Sequence, residues 1–335
     1  GAIDRDRWDV VAVGIAEDGR WVPVSDDPEA WRLRDGELPH VAHAGSTVLP
    51  PRDAGEATWR VLTDDGRVET LAEVDVVFPL LHGPWGEDGT LQGLLELVGV
   101  RYVGSGVLGS AMGMDKQFMK IALRAAGLAV TPDVVVRDGD DVAALRPAIE
   151  ALGLPVFVKP ARAGSSMGIS KVSDWSQLDA ALAAAVKHDP KVLIERAVVG
   201  REIETAVLAT PDGPVASPAG EIVTGGDHDF YDYEAKYFDA ESVDLRCPTE
   251  LPDAVAEEVR ATALAAFRAV DAEGLARVDV FVAEDGTVTV NEINTMPGFT
   301  ETSMYPRMWA AAGVDYPALV QTLLDGALGR STGLR

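Results

Sequence analysis

Two β-branched runs, 277–283 and 287–294, each alternate apolar with polar side chains, and Asp285-Gly286 between them predicts a tight type I′ turn. A turn centred there sets Glu284 opposite Thr287, Asp279 opposite Glu292 and Arg277 opposite Asn294. Because side chains on a strand alternate faces, Arg277, Asp279, Glu292 and Asn294 share one face, which continues into Phe281, Val288 and Val290. The other face carries Val278, Val280, Val282 and Ile293, so both faces read as buried.

Periodicity elsewhere predicts three regions. In residues 1–104, strand-like runs at 9–15 and 75–81 and a helix at 89–98 make a small α/β domain, with turn-rich hairpins across 35–73. Its opening residues read as the tail of a helix whose start is missing. Residues 105–200 form a central domain: a helix at 115–127 opened by Asp115 and closed by Gly127, then strand 133–136, helix 142–152, strand 156–159, a Gly/Ser loop, strand 168–172, helix 176–186 and strand 192–195. Residues 201–335 add strand 202–208, helix 252–270, the 277–294 hairpin and helix 316–328. Within them 224–250 is polar, aromatic and irregular, which suits a functional lid better than a linker.

The hairpin raises the first chemical question. Carboxylates directly opposed across a ladder repel unless something cationic lies between them. A surface hairpin with solvated charges is the plain alternative, but two buried faces disfavour it. Asp279, Glu292 and Asn294 offer only oxygen ligands, which suits a hard cation such as Mg²⁺, an ion that commonly shares its sphere with phosphates. That implies a nucleotide.

Composition narrows the partners. The 335 residues are 47% hydrophobic and carry a formal charge of -25. A chain so acidic, without a basic stripe, is not expected to bind nucleic acid or an anionic membrane surface. A phosphate-bearing ligand must then be held by a few local cations. Cys247 is the only cysteine, so no intrachain disulfide is possible, and no apolar run is long enough for a membrane span. A cytoplasmic location is expected.

Local cations are present. Lys159 ends an apolar strand and precedes Ala163-Gly164-Ser165-Ser166-Met167-Gly168, whose backbone N–H groups and hydroxyls can cover phosphates. The segment lacks the Gly-Lys-Ser/Thr of a Walker A loop, and alone it reads equally as a turn. Glu195 and Glu202 sit at a strand end and just beyond it, where a purine edge and ribose hydroxyls could be met; surface charge explains them as well. Lys236 and Tyr237 are donors in the aromatic loop, and His82 follows the strand at 75–81, where α/β ligand sites lie.

As a set, these segments resemble the ATP-grasp carboxylate-amine ligases, and within them the D-alanine:D-alanine ligase family. The resemblance rests on His-Gly-x-x-Gly-Glu-Asp-Gly-Thr-Leu-Gln-Gly at 82–93, Gly-Ser-Gly-Val-Leu-Gly-Ser-Ala-Met-Gly-Met-Asp-Lys at 104–116, Lys-Pro-x-Arg-x-Gly-Ser-Ser-x-Gly at 159–168, Tyr-Asp-Tyr-Glu-Ala-Lys-Tyr at 231–237 and Asn-Glu-Ile-Asn-Thr-Met-Pro-Gly-Phe-Thr at 291–300. It covers roughly 75–325 and implies an α/β (α+β) three-domain ATP-grasp fold with a Rossmann-like N-terminal domain.

The resemblance also implies roles. ATP would be held by Lys116, Lys159, Ser166, Gly168, Glu195, Glu202 and Lys236, and two Mg²⁺, with Mn²⁺ as a substitute, by Asp279, Glu292 and Asn294. One D-alanine would be phosphorylated on its carboxylate and attacked by the amine of a second. Arg277 and the Gly298 N–H would stabilise the oxyanion, so that Arg277 reads less as a counter-ion for Asp279 than as that donor. Ser303 would receive the second carboxylate, Ser165 and Tyr237 would join loop to lid, and His82 would serve the site. The family suggests a homodimer and a role in peptidoglycan synthesis. A Gly-rich segment with a Ser and a Glu, which opens the family's chains, is not found here, and a truncated start accounts for that. Ligases of D-lactate or D-serine, and a non-catalytic ATP sensor, are the alternatives; the intact Glu-Ala-Lys-Tyr favours an amine nucleophile, and retention of Arg277 favours catalysis.

Overall fold

The hairpin forms, and its register reaches the expected pairing by an unexpected route. In the computed structural model, which describes residues 1–31, 39–42, 45–164, 167–224 and 243–333, strands Leu275–Val282 and Val288–Asn294 pair antiparallel with Asp279 opposite Glu292 and Arg277 opposite Asn294. The turn is longer than a type I′ turn. Ala283 N–H bonds the Thr287 carbonyl at 3.0 Å, so Glu284, Asp285 and Gly286 form a three-residue loop, with only Gly286 at positive φ (+84°). This offsets the outer ladder by one residue, and Val280 faces Val290. The register then shifts between Val280 and Asp279, where Asn291 is the extra, bulged residue, and the inner ladder recovers the expected partners. The offset also corrects the faces. Val290 is fully buried in the apolar core with Val278, Val280, Val282 and Ile293, and Val288 packs against that core.

These two strands close one edge of a five-stranded antiparallel sheet ordered Val243–Arg246, Gly213–Thr224, Arg201–Thr210, Leu275–Val282, Val288–Asn294. Helix Asp253–Ala269 covers one face through Val259, Ala263, Ala266 and Phe267. A four-stranded antiparallel sheet, ordered Ser170–Val172, Val156–Pro160, Lys191–Arg196, Asp133–Arg137, lies in the same compact unit. Its core joins Val156, Val158, Val192 and Ile194 to helices Val142–Glu150 and Leu178–Ala185. The segment leading into strand Asp133–Arg137 is stitched to the hairpin at Val130, which bridges Val290.

That unit comprises Leu80–Gln92 and Gly104–Asp315; the other comprises Gly1–Pro79, Gly93–Val103 and Tyr316–Arg335. In the latter, the turn-rich region folds as a three-stranded antiparallel meander of Thr47–Leu49, Thr58–Leu62 and Val68–Glu73. The strands expected at 9–15 and 75–81 are shorter, Val13–Ile15 and Val76–Val77, and the latter pairs in parallel with Arg101–Tyr102. Helix Tyr316–Gly329 belongs here, tied by Asp325 to Arg7 and by Gln321 to the Trp8 indole at 2.9 Å. No helix among the described residues is long and apolar enough to cross a membrane.

Among the described residues, two α-helices were not signalled by periodicity. Val107–Met114 contains Gly109 and Gly113, residues that weaken an isolated helix. Packing explains them: a Cβ on Gly109 would lie 2.4 Å from the Asp271 carbonyl oxygen, and one on Gly113 2.9 Å from Thr295 Cγ2. The short helix Met304–Ala311 is the second.

Helix Lys116–Ala125 follows Val107–Met114, and its cap does two jobs. Asp115 accepts the Gln117 and Phe118 N–H groups at 3.1 and 3.3 Å, and its other oxygen is ion-paired with buried Lys191. Asp115→Ala should therefore lose more than the ~0.5–2 kcal/mol of a cap alone, because Lys191 would be left as an unpaired buried charge. Asp115→Asn should recover only the cap's share, as read from urea midpoints.

Candidate functional site

The two sheets of the larger unit face a cleft of about 580 Å³. The four-stranded sheet contributes Phe157, Lys159 and Glu195, and the five-stranded sheet contributes Glu202, Glu204, Arg277, Asp279, Phe281 and Glu292. Strand alternation delivers these groups: Glu202 and Glu204 pair with Phe281 and Asp279 in the ladder, and Lys159 lies opposite Leu193, two residues before Glu195.

On the hairpin face, the repulsion between Asp279 and Glu292 is met by side chains. Arg277 forks onto Asp279, Nε to Oδ1 and Nη2 to Oδ2 at 2.7 Å each, and its Nε lies 3.1 Å from Glu204 Oε1. Asn294 Nδ2 donates to Asp279 Oδ2 at 3.1 Å, and Lys116 Nζ sits 3.6 Å from Glu292. Burial works against the Arg277 charge, yet Asp279 and Glu204 overcome it and hold the guanidinium well above its ordinary pKa. Two sequence inferences change accordingly. Arg277 is a counter-ion for Asp279 in this structure, and opposed carboxylates do not by themselves demand a metal, because Arg277 and Lys116 answer them.

A second charged cluster lies on the opposite wall. Glu195 is 3% exposed and ion-paired with Lys159 and, at 2.5 Å, with Lys120. Burial alone would raise its pKa; Lys159 and Lys120 outweigh that and hold the carboxyl below its usual range. Lys120, 1% exposed, also donates to the Thr131 carbonyl at 3.1 Å and lies 3.8 Å from Asp133, which Arg124 pairs in turn. Burial draws the Lys120 pKa down, against the pull of Glu195. Lys116 starts its helix with its N–H on the Ala161 carbonyl at 3.0 Å, and its ammonium reaches the Ala163 carbonyl at 2.9 Å. The two lysines expected at phosphates thus both border the segment 160–168. Gly168, at φ +72°, closes it where a Cβ would strike the His188 ring at 2.6 Å.

Beyond the hairpin the chain runs past His82 and Glu87. The Met296 carbonyl accepts from His82 Nδ1 at 2.9 Å, which places the ring proton on that nitrogen, and the Met296 N–H donates to Glu87 at 3.3 Å. Burial raises the Glu87 pKa, and the Gly83 N–H and His82 offset this only in part. His82 is solvent-exposed and lies beyond a strand that ends at Val77, so the expected strand-end position does not hold. Gly298 and Ser303 come together as expected: a Cβ on Gly298 would be 3.2 Å from Ser303 Oγ, which accepts the Thr300 N–H at 3.1 Å. Ser165, Ser166, Lys236 and Tyr237 lie outside the described residues.

Four participants were not assigned from sequence: Glu204, Glu87, Lys120 and Lys191. Glu204 was visible as the second acid of Glu-Ile-Glu, two residues from Glu202 on the same strand face. Lys120 follows Lys116 by four residues, one helical turn, beside the core positions Met119 and Leu123.

If Arg277 is the shared counter-charge of this face, its loss strands carboxylates that are largely shut off from water. Arg277→Met should destabilise the fold by about 3–5 kcal/mol, and adding Asp279→Asn should recover part of that; equal urea midpoints for the single and double variants would contradict the role.

Comparison with known proteins identifies the family. A model of the D-ala D-ala ligase C-terminus matches residues 122–325 and one of the D-ala D-ala ligase N-terminus matches residues 1–105. The D-alanine–D-alanine ligase of Kineococcus radiotolerans is 57% identical over 349 residues, spanning 100% of this chain and 92% of that protein. That of Mycobacterium sp. (strain KMS) is 55% identical, spanning 99% and 91%. Among solved structures, the VanG D-Ala:D-Ser ligase of Enterococcus faecalis superposes with TM-score 0.82 at 32% identity, covering 97% of this chain and 91% of its own. The Bacillus anthracis D-alanine–D-alanine ligase, complexed with ATP, gives 0.66 at 30%, covering 76% and 79%. The chain belongs to the D-alanine–D-alanine ligase family, with the ATP-grasp fold of its structural neighbours.

Proposed function

We propose that this chain joins two D-alanines into D-alanyl-D-alanine, driven by ATP, for peptidoglycan precursor synthesis in the cytoplasm. The observation that carries the reading is the convergence of Lys116, Lys159 and Arg277 with opposed carboxylates around one cleft, in a chain whose D-alanine–D-alanine ligase relatives match it over 99% or more of its length.

In this reading ATP lies in the cleft with its adenine by Glu195, its ribose on Glu202 and its phosphates toward Lys116 and Lys159, under Ser165, Ser166, Gly168 and Lys236. Asp279, Glu292 and Asn294 fit Mg²⁺, because their oxygen-only donors stand on one ladder face and the Glu292 side chain keeps 30% of its surface open. When bound, two such ions would supply neutralisation of phosphate charge. The γ-phosphoryl group passes to a carboxylate oxygen of the first D-alanine, leaving ADP. The amine nitrogen of the second attacks the resulting acyl carbon, sheds a proton, and expels phosphate.

Arg277 serves the second step. Glu204 fixes its guanidinium from one side, and the charge it carries suits the oxyanion of the tetrahedral intermediate, with the Gly298 N–H beside it. Ser303 takes the incoming carboxylate, and Ser165, Tyr237 and His82 complete the enclosure. We further read the enzyme as a homodimer.

D-serine is the second acceptor to weigh, because a D-Ala:D-Ser ligase superposes on 97% of the chain. Phosphate release from ATP should require both D-alanine and Mg²⁺, and mass spectrometry of mixtures with D-serine and D-lactate should return D-alanyl-D-alanine as the main product. Phosphate release indifferent to D-alanine would overturn the assignment. Arg277→Lys should lower kcat by roughly 10²–10³ with ATP affinity much less changed.

A further inference from the structure

Lys120 has no place in the reaction as described, yet it is among the most deeply buried side chains of the molecule, 1% exposed. It stands behind the cleft wall on helix Lys116–Ala125, one turn beyond Lys116. Its ammonium is held by the Thr131 carbonyl and hydroxyl and by Glu195 Oε1 at 2.5 Å, while Glu195 Oε2 is paired with Lys159. One buried carboxylate is thus shared between a lysine that faces the cleft and a lysine that does not. The sharing fixes the local charge. With Asp133, 3.8 Å from Lys120, balanced by Arg124 and with both lysines ionised, the trio keeps one net positive charge, and Lys159 is the member that borders the cleft. Without Lys120, Glu195 would neutralise Lys159, and in a poorly screened interior that loss would be felt directly by a polyanion.

We propose that Lys120 is a positioning residue for the nucleotide phosphates: by supplying the counter-charge of Glu195 from behind the wall, it leaves the charge of Lys159 available to the cleft. The inference rests on the reading that ATP occupies this cleft with its phosphates toward Lys159. It assigns Lys120 no contact with ATP, and it makes a distinction that simple structural support would not.

The test is calorimetric binding of Mg-ATP, Mg-ADP and adenosine to the whole chain. Wild type should bind Mg-ATP, and failure there would reject the nucleotide reading itself, separately from this inference. Lys120→Met should weaken Mg-ATP at least tenfold, as loss of a buried counter-charge implies, and adenosine by less than threefold. Lys120→Gln, which keeps a donor but no charge, should do the same. Adding Glu195→Gln to Lys120→Met removes the carboxylate that neutralises Lys159, and should return the ratio of Mg-ATP to adenosine affinity most of the way to wild type, the adenosine arm reporting any change in the adenine contact read at Glu195. Equal losses for ATP and adenosine, unchanged ATP binding in both single variants, or a double variant whose ATP-to-adenosine ratio stays at that of Lys120→Met would each overturn the proposal.

Discussion

Asp279 and Glu292 confront each other across one rung of an antiparallel ladder, and like charges at that spacing must be balanced before the sheet can close. Arg277 and Lys116 provide the balance from different elements. Arg277 stands two residues before Asp279 on the same strand face, while Lys116 comes from a helix start anchored by the Ala161 carbonyl and by the Asp115 cap. The need to neutralise one pair of carboxylates therefore draws a strand, a helix and the segment after Lys159 to a single place. Arg277 is further shared with Glu204 on the neighbouring strand, so the charge that holds the sheet together is the same charge the proposed chemistry would use.

Such sharing explains how a strongly acidic chain can hold a polyphosphate. Formal charge is -25, yet the cleft is lined by Lys159 and Arg277, with Lys116 3.6 Å from its lining residue Glu292, each buried and each paired with carboxylates that fix its position. Surface acids act through water and salt, whereas these groups act at contact distance. Global charge disfavours extended polyanions such as nucleic acid and leaves room for a small one.

Most elements were legible in sequence because the local signals agreed with the tertiary result. The helix from Asp115 to Gly127 and the strands about Lys159 and Glu195 follow from caps and periodicity, whereas Arg277 meets Asn294 only because the bulge at Asn291 cancels the one-residue offset of a loop longer than the sequence predicts. What was illegible has a physical cause in each case. Gly109 and Gly113 argue locally against the helix that carries them, and only the Asp271 carbonyl and the Thr295 side chain packed against them explain their presence. The pairing of Arg277 with Asp279 was set aside in favour of a catalytic role, although a same-face guanidinium two residues away finds a buried carboxylate with or without substrate. Lys120 was passed over because a lysine on a helix reads as solvent-facing until its burial is known.

The bulge at Asn291 has a consequence for how this hairpin can vary. It divides the two strands into an outer segment, whose register is dictated by the loop, and an inner segment, whose register is dictated by Asp279, Glu292 and Asn294. Because an irregularity already separates the two, a change of loop length need not propagate inward; the ladder has a place to absorb it. The tip near Asp285 is therefore mechanically insulated from the chemistry, and it is a natural point for lengthening, shortening or attaching a reporter while the inner rungs keep their alignment.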